Sequence, residues 1–334
     1  MTAHRRLRDA LVAAGAVPAS HIPEESTGRG DLLEVAGAEL VEGPDLTVHP
    51  LEAAATPAAV AFLDGIERWL VTCYDGVIPI VRGFVAAAIR RRAATRRMAT
   101  ALEATREFLV APVPLLRPGV RAALEASGID VIDVSDKAEQ AAQPGRALEA
   151  ARRAVENARV ALEKTLAERH AAGLGPEEWL VVDGVLSESA ALSRHPRALG
   201  VIKSHAAQYF EGDALTRALT VPDQHRSSVF RPRGRARHEV YSWYLRLWPW
   251  EGNDLLFGLV RVEARAHADT VAAASRVSGW LARERAPLAT PDRRWDRLLY
   301  PMHDVETYLR ARAPRDLVPP TASRLPLALP RRAS

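Results

Sequence analysis

The stretch AVAFLDGIERWLV, residues 59–71, decides how the chain is read. An apolar run closes on Asp64-Gly65, and a second run, EEWLVVDGVLSES (177–189), closes in the same way on Asp183-Gly184. The two aspartates lie 119 positions apart, so only tertiary structure brings them together. A carboxylate at the carboxyl end of a buried strand is held rigidly at a sheet's edge, and a following glycine lets the backbone turn away or a ligand approach. Asp-Gly is also a common strand-to-turn dipeptide, so either pair alone says little. On neighbouring strands, the two aspartates have the placement needed to share a divalent metal.

Working outward, Asp75-Gly76 separates two apolar runs and predicts an antiparallel hairpin, with EFLVAPVPLL (107–116) as a further strand. The run IRRRAATRRMAT (89–100) reads as an arginine-rich helix, and GVRAALEASG (119–128) as a short one. After Pro144 and Gly145 comes the longest helical pattern, RALEAARRAVENARVALEKTLAERHAAG (146–173). Leu148, Ala151, Val155, Ala158, Leu162 and Thr165 or Leu166 form its apolar stripe, and the helix feeds almost directly into the Asp183 strand. ALGVIKSHAAQYF (198–210) is a strand with Lys203 at its end; VYSWYLRLWPW (240–250) and LLFGLVRVEA (255–264) form a strand, turn, strand unit; two helices follow. The pattern predicts an α/β fold with a mixed sheet flanked by helices. It divides into an accessory N-terminal segment (1–55), a main domain (56–313) and a loosely ordered Pro- and Arg-rich tail (314–334).

At 334 residues, 48% hydrophobic and 26% charged, the composition is that of a soluble globular chain, and no window approaches the ~18 apolar residues of a membrane span. The first twenty residues read as a small amphipathic helix (Leu7, Leu11, Val12) rather than an export signal. A single cysteine, Cys73, excludes an internal disulfide and a cysteine zinc cage, and fits a reducing cytoplasm. The net charge of +4 favours a polyanionic partner weakly. More specific is the mobile-looking loop FRPRGRARHEV (230–240), whose Arg231, Arg233, Arg235 and Arg237 are candidates for DNA phosphate contacts.

Carboxylates around a sheet edge suit two-metal phosphodiester hydrolysis, in which one ion activates water and the other stabilises the leaving oxygen. Oxygen ligands favour Mg²⁺ or Mn²⁺. A third ligand is expected from the long helix, where Glu149, Glu156 and Glu163 recur on one flank of the buried stripe. Trp243, Trp248 and Trp250 are candidates for stacking on bases, although tryptophans on a half-buried hairpin more often pack. His205, two residues beyond Lys203, shares its strand face if the strand continues.

FLDGIERWLV (62–71), the helix RRAVENARVALEKTL (152–166) running into WLVVDGVLSES (179–189), then LGVIKSHAAQYF (199–210) and LLYPMHDVETYL (298–309) together resemble the NurA family of DNA end-processing nucleases. The resemblance spans roughly residues 58–312, and its most specific part is the Asp-Gly strand end followed by Gly200-x-x-Lys203-Ser204. It implies an RNase H-like core, a Mn²⁺- or Mg²⁺-dependent deoxyribonuclease acting on single strands and duplex ends in DNA repair, a homodimer, and a HerA-type hexameric ATPase translocase as partner. It also implies catalytic roles for Asp64, Glu156, Asp183 and Lys203, with Asp64, Glu156, Asp183 and His303 as metal ligands; Glu149 and Glu163 are alternatives for the helix ligand, and Asp304 for the fourth. Two departures stand out: Ile66 and Val185 follow the Asp-Gly pairs where the family often has Ser, and Tyr308 occupies the formal position of the last ligand. A catalytically degenerate DNA-binding adaptor of a translocase is the alternative, and an RNase H-like enzyme acting on RNA a third reading.

Overall fold

A computed structural model describes residues 3–18, 34–92, 97–135, 143–205, 207–234, 236–251, 253–287 and 295–317. In chain order the first elements are α1 (Ala3–Ala13), β1 (Val17–Pro18), β2 (Glu34–Val35), β3 (Ala38–Leu40), β4 (Val48–Pro50), β5 (Ala59–Asp75), β6 (Ile78–Arg92), β7 (Met98–Ala111), α2 (Pro118–Ala126) and β8 (Val131–Asp133). There follow α3 (Pro144–Ala171), β9 (Glu178–Asp183), α4 (Ala190–Arg194), β10 (Ala198–Ile202), β11 (Ala207–Gln208), α5 (Gly212–Leu219), β12 (His225–Ser227), β13 (Phe230–Pro232), β14 (Val240–Arg246), β15 (Leu259–Arg265), α6 (Ala268–Arg283) and α7 (Tyr300–Arg310). The fold is α/β, a large mixed sheet flanked by helices.

The sheet runs β3-β13-β14-β15-β10-β9-β5-β6-β7-β8. Strands β5, β6 and β7 form an antiparallel meander, β9 lies parallel to β5, and β10 parallel to β9. Strands β14 and β15 then extend the sheet in antiparallel fashion. The hairpin expected at Asp75-Gly76 is present: Asp75 pairs with Ile78, and Gly76 takes φ +59°, which a side chain rarely tolerates.

The first part of β5, Ala59–Leu63, is covered from both sides, which is why it is continuously apolar rather than alternating. Val60, Phe62 and Ile66 join one cluster with Trp280 and Leu281 of α6 and Met302, Val305 and Leu309 of α7. Ala61 and Leu63 face the other way, toward Leu166 and Ala167 of α3. The N-terminal half of α3 covers a different region: Ala151 and Val155 pack on Val81, Val85 and Phe108. This helix therefore crosses the sheet obliquely, from β6 and β7 to β5 and β9, before feeding into β9.

Three expectations are revised. Ile89–Arg92 end β6 and Met98–Thr100 begin β7, so the described part of the arginine-rich run is strand, not helix; residues 93–96 lie outside the described residues. Alanine and arginine favour helix locally, but the long ladder with β5 overrides that preference. The segment before residue 56 is woven into the sheet, β3 pairing with β13 and β4 with β12, while Leu7 and Leu11 of α1 pack on Ile80 and Val120. At the other end, Leu317 is buried and Asp316 accepts from Arg82 at 2.6 Å, so the folded part extends past 313; residues 318–334 of the expected tail lie outside the described residues. Among the described residues no helix is long and apolar enough to cross a membrane.

Candidate functional site: a carboxylate cluster where two strands part

The parallel ladder of β5 and β9 pairs Ala59 with Glu178 and continues to Leu63 with Val182. Its register carries the next rung to Asp64 and Asp183. Residues on one rung of a parallel pair point to the same face, and neighbouring strands lie about 4.8 Å apart, so the two carboxylates are set side by side. Asp64 is 7% exposed. Burial, and after it the charge of Asp183, drives its carboxyl well above the ordinary range; Glu163 and Glu306 add to the push and Lys203 opposes it.

The two Asp-Gly pairs reach this rung by different means. Asp64-Gly65 is not at a strand end: β5 runs on for ten residues past Gly65, to Asp75. Gly65 is needed for room, since a Cβ there would collide with the Glu163 carboxylate arriving from α3. Asp183-Gly184 does end its strand, with Gly184 at φ +128°. Gly184 N–H donates to Val201 O at 3.0 Å, and a Cβ on Gly200 would come within 2.5 Å of Gly184 O. The following turn is held by Glu263, only 2% exposed, which accepts from Leu186 N–H at 2.8 Å and Ser187 N–H at 3.3 Å and pairs with Arg261 at 2.7 Å.

Basic groups partly neutralise the cluster. Lys203, directly after β10, donates from Nζ to Asp183 Oδ2 at 2.6 Å. Arg159 donates from Nη1 to Glu163 Oε1 at 2.5 Å and from Nε to Glu67 Oε2 at 3.1 Å. Burial still outweighs this guanidinium, and with Asp183 and Glu67 adding repulsion the Glu163 carboxyl is pushed up to about 7. From α7, Glu306 accepts from Arg310 at 2.7 Å.

Of the residues expected at the site, Asp64, Asp183 and Lys203 come together. Glu156 does not join them. It lies two helical turns before Glu163, about 10 Å along the axis, and its electrostatic neighbour is Arg152. Glu149 pairs with Arg152 and Arg153. Of the three helix glutamates, Glu163, whose carboxylate lies over Gly65, is the one whose charge acts on Asp64. His303 is half-buried, its ring 6.2 Å from that of Tyr300 and its Nδ1 enclosed without a hydrogen-bond partner; Glu306, one turn further on, acts on Asp64. Asp304 pairs with Arg90 at 2.8 Å, and Tyr308 donates to Glu103.

His205 points away, its Nε2 3.0 Å from Leu259 O and its pKa lowered to about 4, by burial above all. Trp243 is fully buried and donates to Ser278 Oγ at 2.8 Å, a packing role; Trp248 stacks under Arg285, 3.8 Å from ring centre to guanidinium. The expected arginine loop opens instead as strand β13, in which Arg231 pairs with Glu39 of β3; Arg231 and Arg233 share the Glu39 carboxylate, Arg231 also meets Glu239, and Arg237 meets Glu188 at 3.2 Å, while Arg235 lies outside the described residues. Arg233 and Arg237 are 64% and 74% exposed, and ion pairs so exposed exchange readily for other anions.

Glu67, Arg159 and Glu306 were not named from sequence, and Glu163 was named only as an alternative to Glu156. One signal pointed to Glu163: α3 ends only six residues before β9, the neighbour of β5, so its last turns, not its middle, must lie over Asp64.

As they stand, no three His, Cys, Asp or Glu side chains among the described residues close on a single metal position. The donor set nevertheless fits a hard cation. Asp64, Asp183, Glu163, Glu67 and Glu306 are all carboxylates, and Lys203, Arg159 and Arg310 are among the cations that meet them. The surplus of negative charge around a buried Asp64 is what a divalent ion would neutralise. No protein-family model matches the chain, and a search of curated proteins finds no match.

Proposed function

We propose that this chain is a metal-dependent deoxyribonuclease of the NurA type with an RNase H-like core, processing single strands and DNA ends. One observation supports the reading: Asp64 and Asp183 follow directly on the last β5–β9 pair, Leu63 with Val182, and the charges of Asp183, Glu163 and Glu306 all act on the buried Asp64 carboxyl. The antiparallel β7-β6-β5 meander continued by parallel β9 and β10 supports the RNase H-like assignment.

Asp64, Asp183 and Glu163 are the residues that would hold Mn²⁺ or Mg²⁺, with Glu306 in place of His303 as fourth candidate. A divalent ion bound there supplies activation of water and stabilisation of the leaving oxygen. Lys203, one of the basic groups in the cluster, neutralises a non-bridging phosphate oxygen, and the exposed Arg233 and Arg237 hold the strand's backbone. Action in DNA repair, a homodimeric state and a HerA-type hexameric partner, which rest on the sequence resemblance alone, and a cytoplasmic location, which rests on the single cysteine, complete the proposal.

Digestion of 5′-labelled single-stranded DNA with Mn²⁺ tests the reading. Wild type is expected to cut and Asp64→Ala and Asp183→Ala to be inert; equal activity in all three rules the site out. The ion pairs of Lys203 with Asp183 and Arg159 with Glu163 favour one alternative, a catalytically degenerate adaptor in which these cations replace the metal. An adaptor gives no Mn²⁺-dependent rise in melting temperature.

A further inference from the structure

Strand β10 ends one residue before Lys203. Its ladder to β9 stops at Val201 with Asp183, and its ladder to β15 at Ile202 with Arg261. Beyond the ladders, side chains hold this stretch. Lys203 O accepts from Arg297 Nη1 at 3.1 Å, and two residues on, His205 Nε2 lies 3.0 Å from Leu259 O. A guanidinium donor makes the first of these a charge-assisted bond, stronger than the amide bond of a ladder.

Arg297 is itself fixed. It closes a single turn of 3-10 helix, Trp295–Arg297, shortly before α7. The Trp295 ring meets Trp248 and Phe257 edge-on, with ring centres 5.4 and 5.5 Å apart, and the buried Asp296 accepts from Gly258 N–H at 2.8 Å. Asp296 also stands 3.5 Å from Arg297 Nε, on the other side of the guanidinium from Lys203 O. From this anchored main chain the Lys203 side chain returns to the carboxylates, its Nζ 2.6 Å from Asp183 Oδ2. Val201 is level with Asp183, so Lys203 stands two residues, or about 7 Å of strand rise, beyond the aspartate to which its ammonium returns. A flexible four-carbon stem spanning such a gap keeps its aim only where its main chain is held.

We propose that Arg297 is a positioning residue for Lys203: by holding the Lys203 carbonyl it keeps the ammonium beside Asp183, where the substrate phosphate arrives. The proposal rests on the nuclease reading. Two readouts test it, kcat/KM for Mn²⁺-dependent digestion of 5′-labelled single-stranded DNA, and anisotropy of a fluorescein-labelled oligothymidylate in EDTA, where no cleavage occurs. Arg297→Gln is expected to lower kcat/KM about tenfold and to weaken binding about threefold, and in a Lys203→Met background to change either by less than about twofold, because the ammonium it aims is gone. Arg297→Lys, which still offers the carbonyl a charged donor, is expected to recover most of both. Arg297 is half-buried, and both polar replacements are expected to keep the fold by circular dichroism. Arg153→Ala, which removes an exposed charge from α3, is expected to change neither readout. Losses of equal size with and without Lys203 overturn the proposal, as do an Arg297→Lys variant as impaired as Arg297→Gln, an unimpaired Arg297→Gln, and a wild type that neither binds nor cuts. Cleavage by wild type without coupling between Arg297 and Lys203 sinks the positioning role and leaves the nuclease reading standing; coupled binding without cleavage does the reverse.

Discussion

Asp64-Gly65 and Asp183-Gly184 are the same dipeptide put to different physical uses. In the first, the chain stays extended and glycine makes space for Glu163; in the second, φ +128° turns the chain away and Glu263 catches the turn. A motif thus specifies which carboxylate stands at a position without specifying why its neighbour is small. The two aspartates come side by side because each directly follows the last β5–β9 pair, Leu63 with Val182, a register that neither dipeptide encodes alone.

The comparison is broken most severely by removing the acids. Asp64→Ala or Asp183→Ala is expected to reduce Mn²⁺-dependent cleavage by about three orders of magnitude or more while the fold persists by circular dichroism. Next comes Gly65→Ala. The added methyl meets the Glu163 carboxylate, with an expected loss of about 1–3 kcal/mol in denaturant unfolding and a parallel loss of Mn²⁺ binding. Gly184→Ala has open space around it and suffers backbone strain alone, on the order of 1 kcal/mol, with metal binding less affected. If the two glycine variants lose Mn²⁺ affinity equally, the distinction between crowding and turning fails.

Glu163 offers a pH-dependent test. Its folded pKa of about 7 lies above the ordinary carboxylate value, so the stability it confers is present at pH 4 and is lost as pH rises toward 7 and beyond. Metal-free Glu163→Gln is therefore expected to be more stable than wild type at pH 8, by on the order of 1–3 kcal/mol, with the advantage vanishing near pH 4. Glu156→Gln is expected to stay within about 0.5 kcal/mol at both pH values. Identical pH profiles for the two variants would contradict the assignment of Glu163 to the cluster.

Much of this was legible in the chain. The apolar runs at 59–63 and 178–182, the hairpin at Asp75, the long helix and the β14–β15 unit follow from periodicity and turn chemistry. Both aspartates and Lys203 were identifiable because each directly follows an apolar run. Less visible was anything set by distant partners. That β5 continues through Gly65 depends on its ladder with β6, and that 89–92 is strand depends on the same ladder. The choice of Glu163 over Glu156 depends on how α3 crosses the sheet, since all three glutamates occupy the same flank of one stripe. Strands β3 and β4 were missed because three-residue segments carry little pattern, and their partners lie far along the chain in β13 and β12.

The central claim is that Asp64, Asp183 and Glu163 act as one cation site. Calorimetric titration of Mn²⁺ into metal-free protein at pH 7.5 tests it most directly. The account predicts binding by wild type and by Glu156→Gln, with Asp64→Asn, Asp183→Asn and Glu163→Gln each weakening it by tenfold or more. Undiminished binding in those three variants, or no binding by wild type, would contradict it.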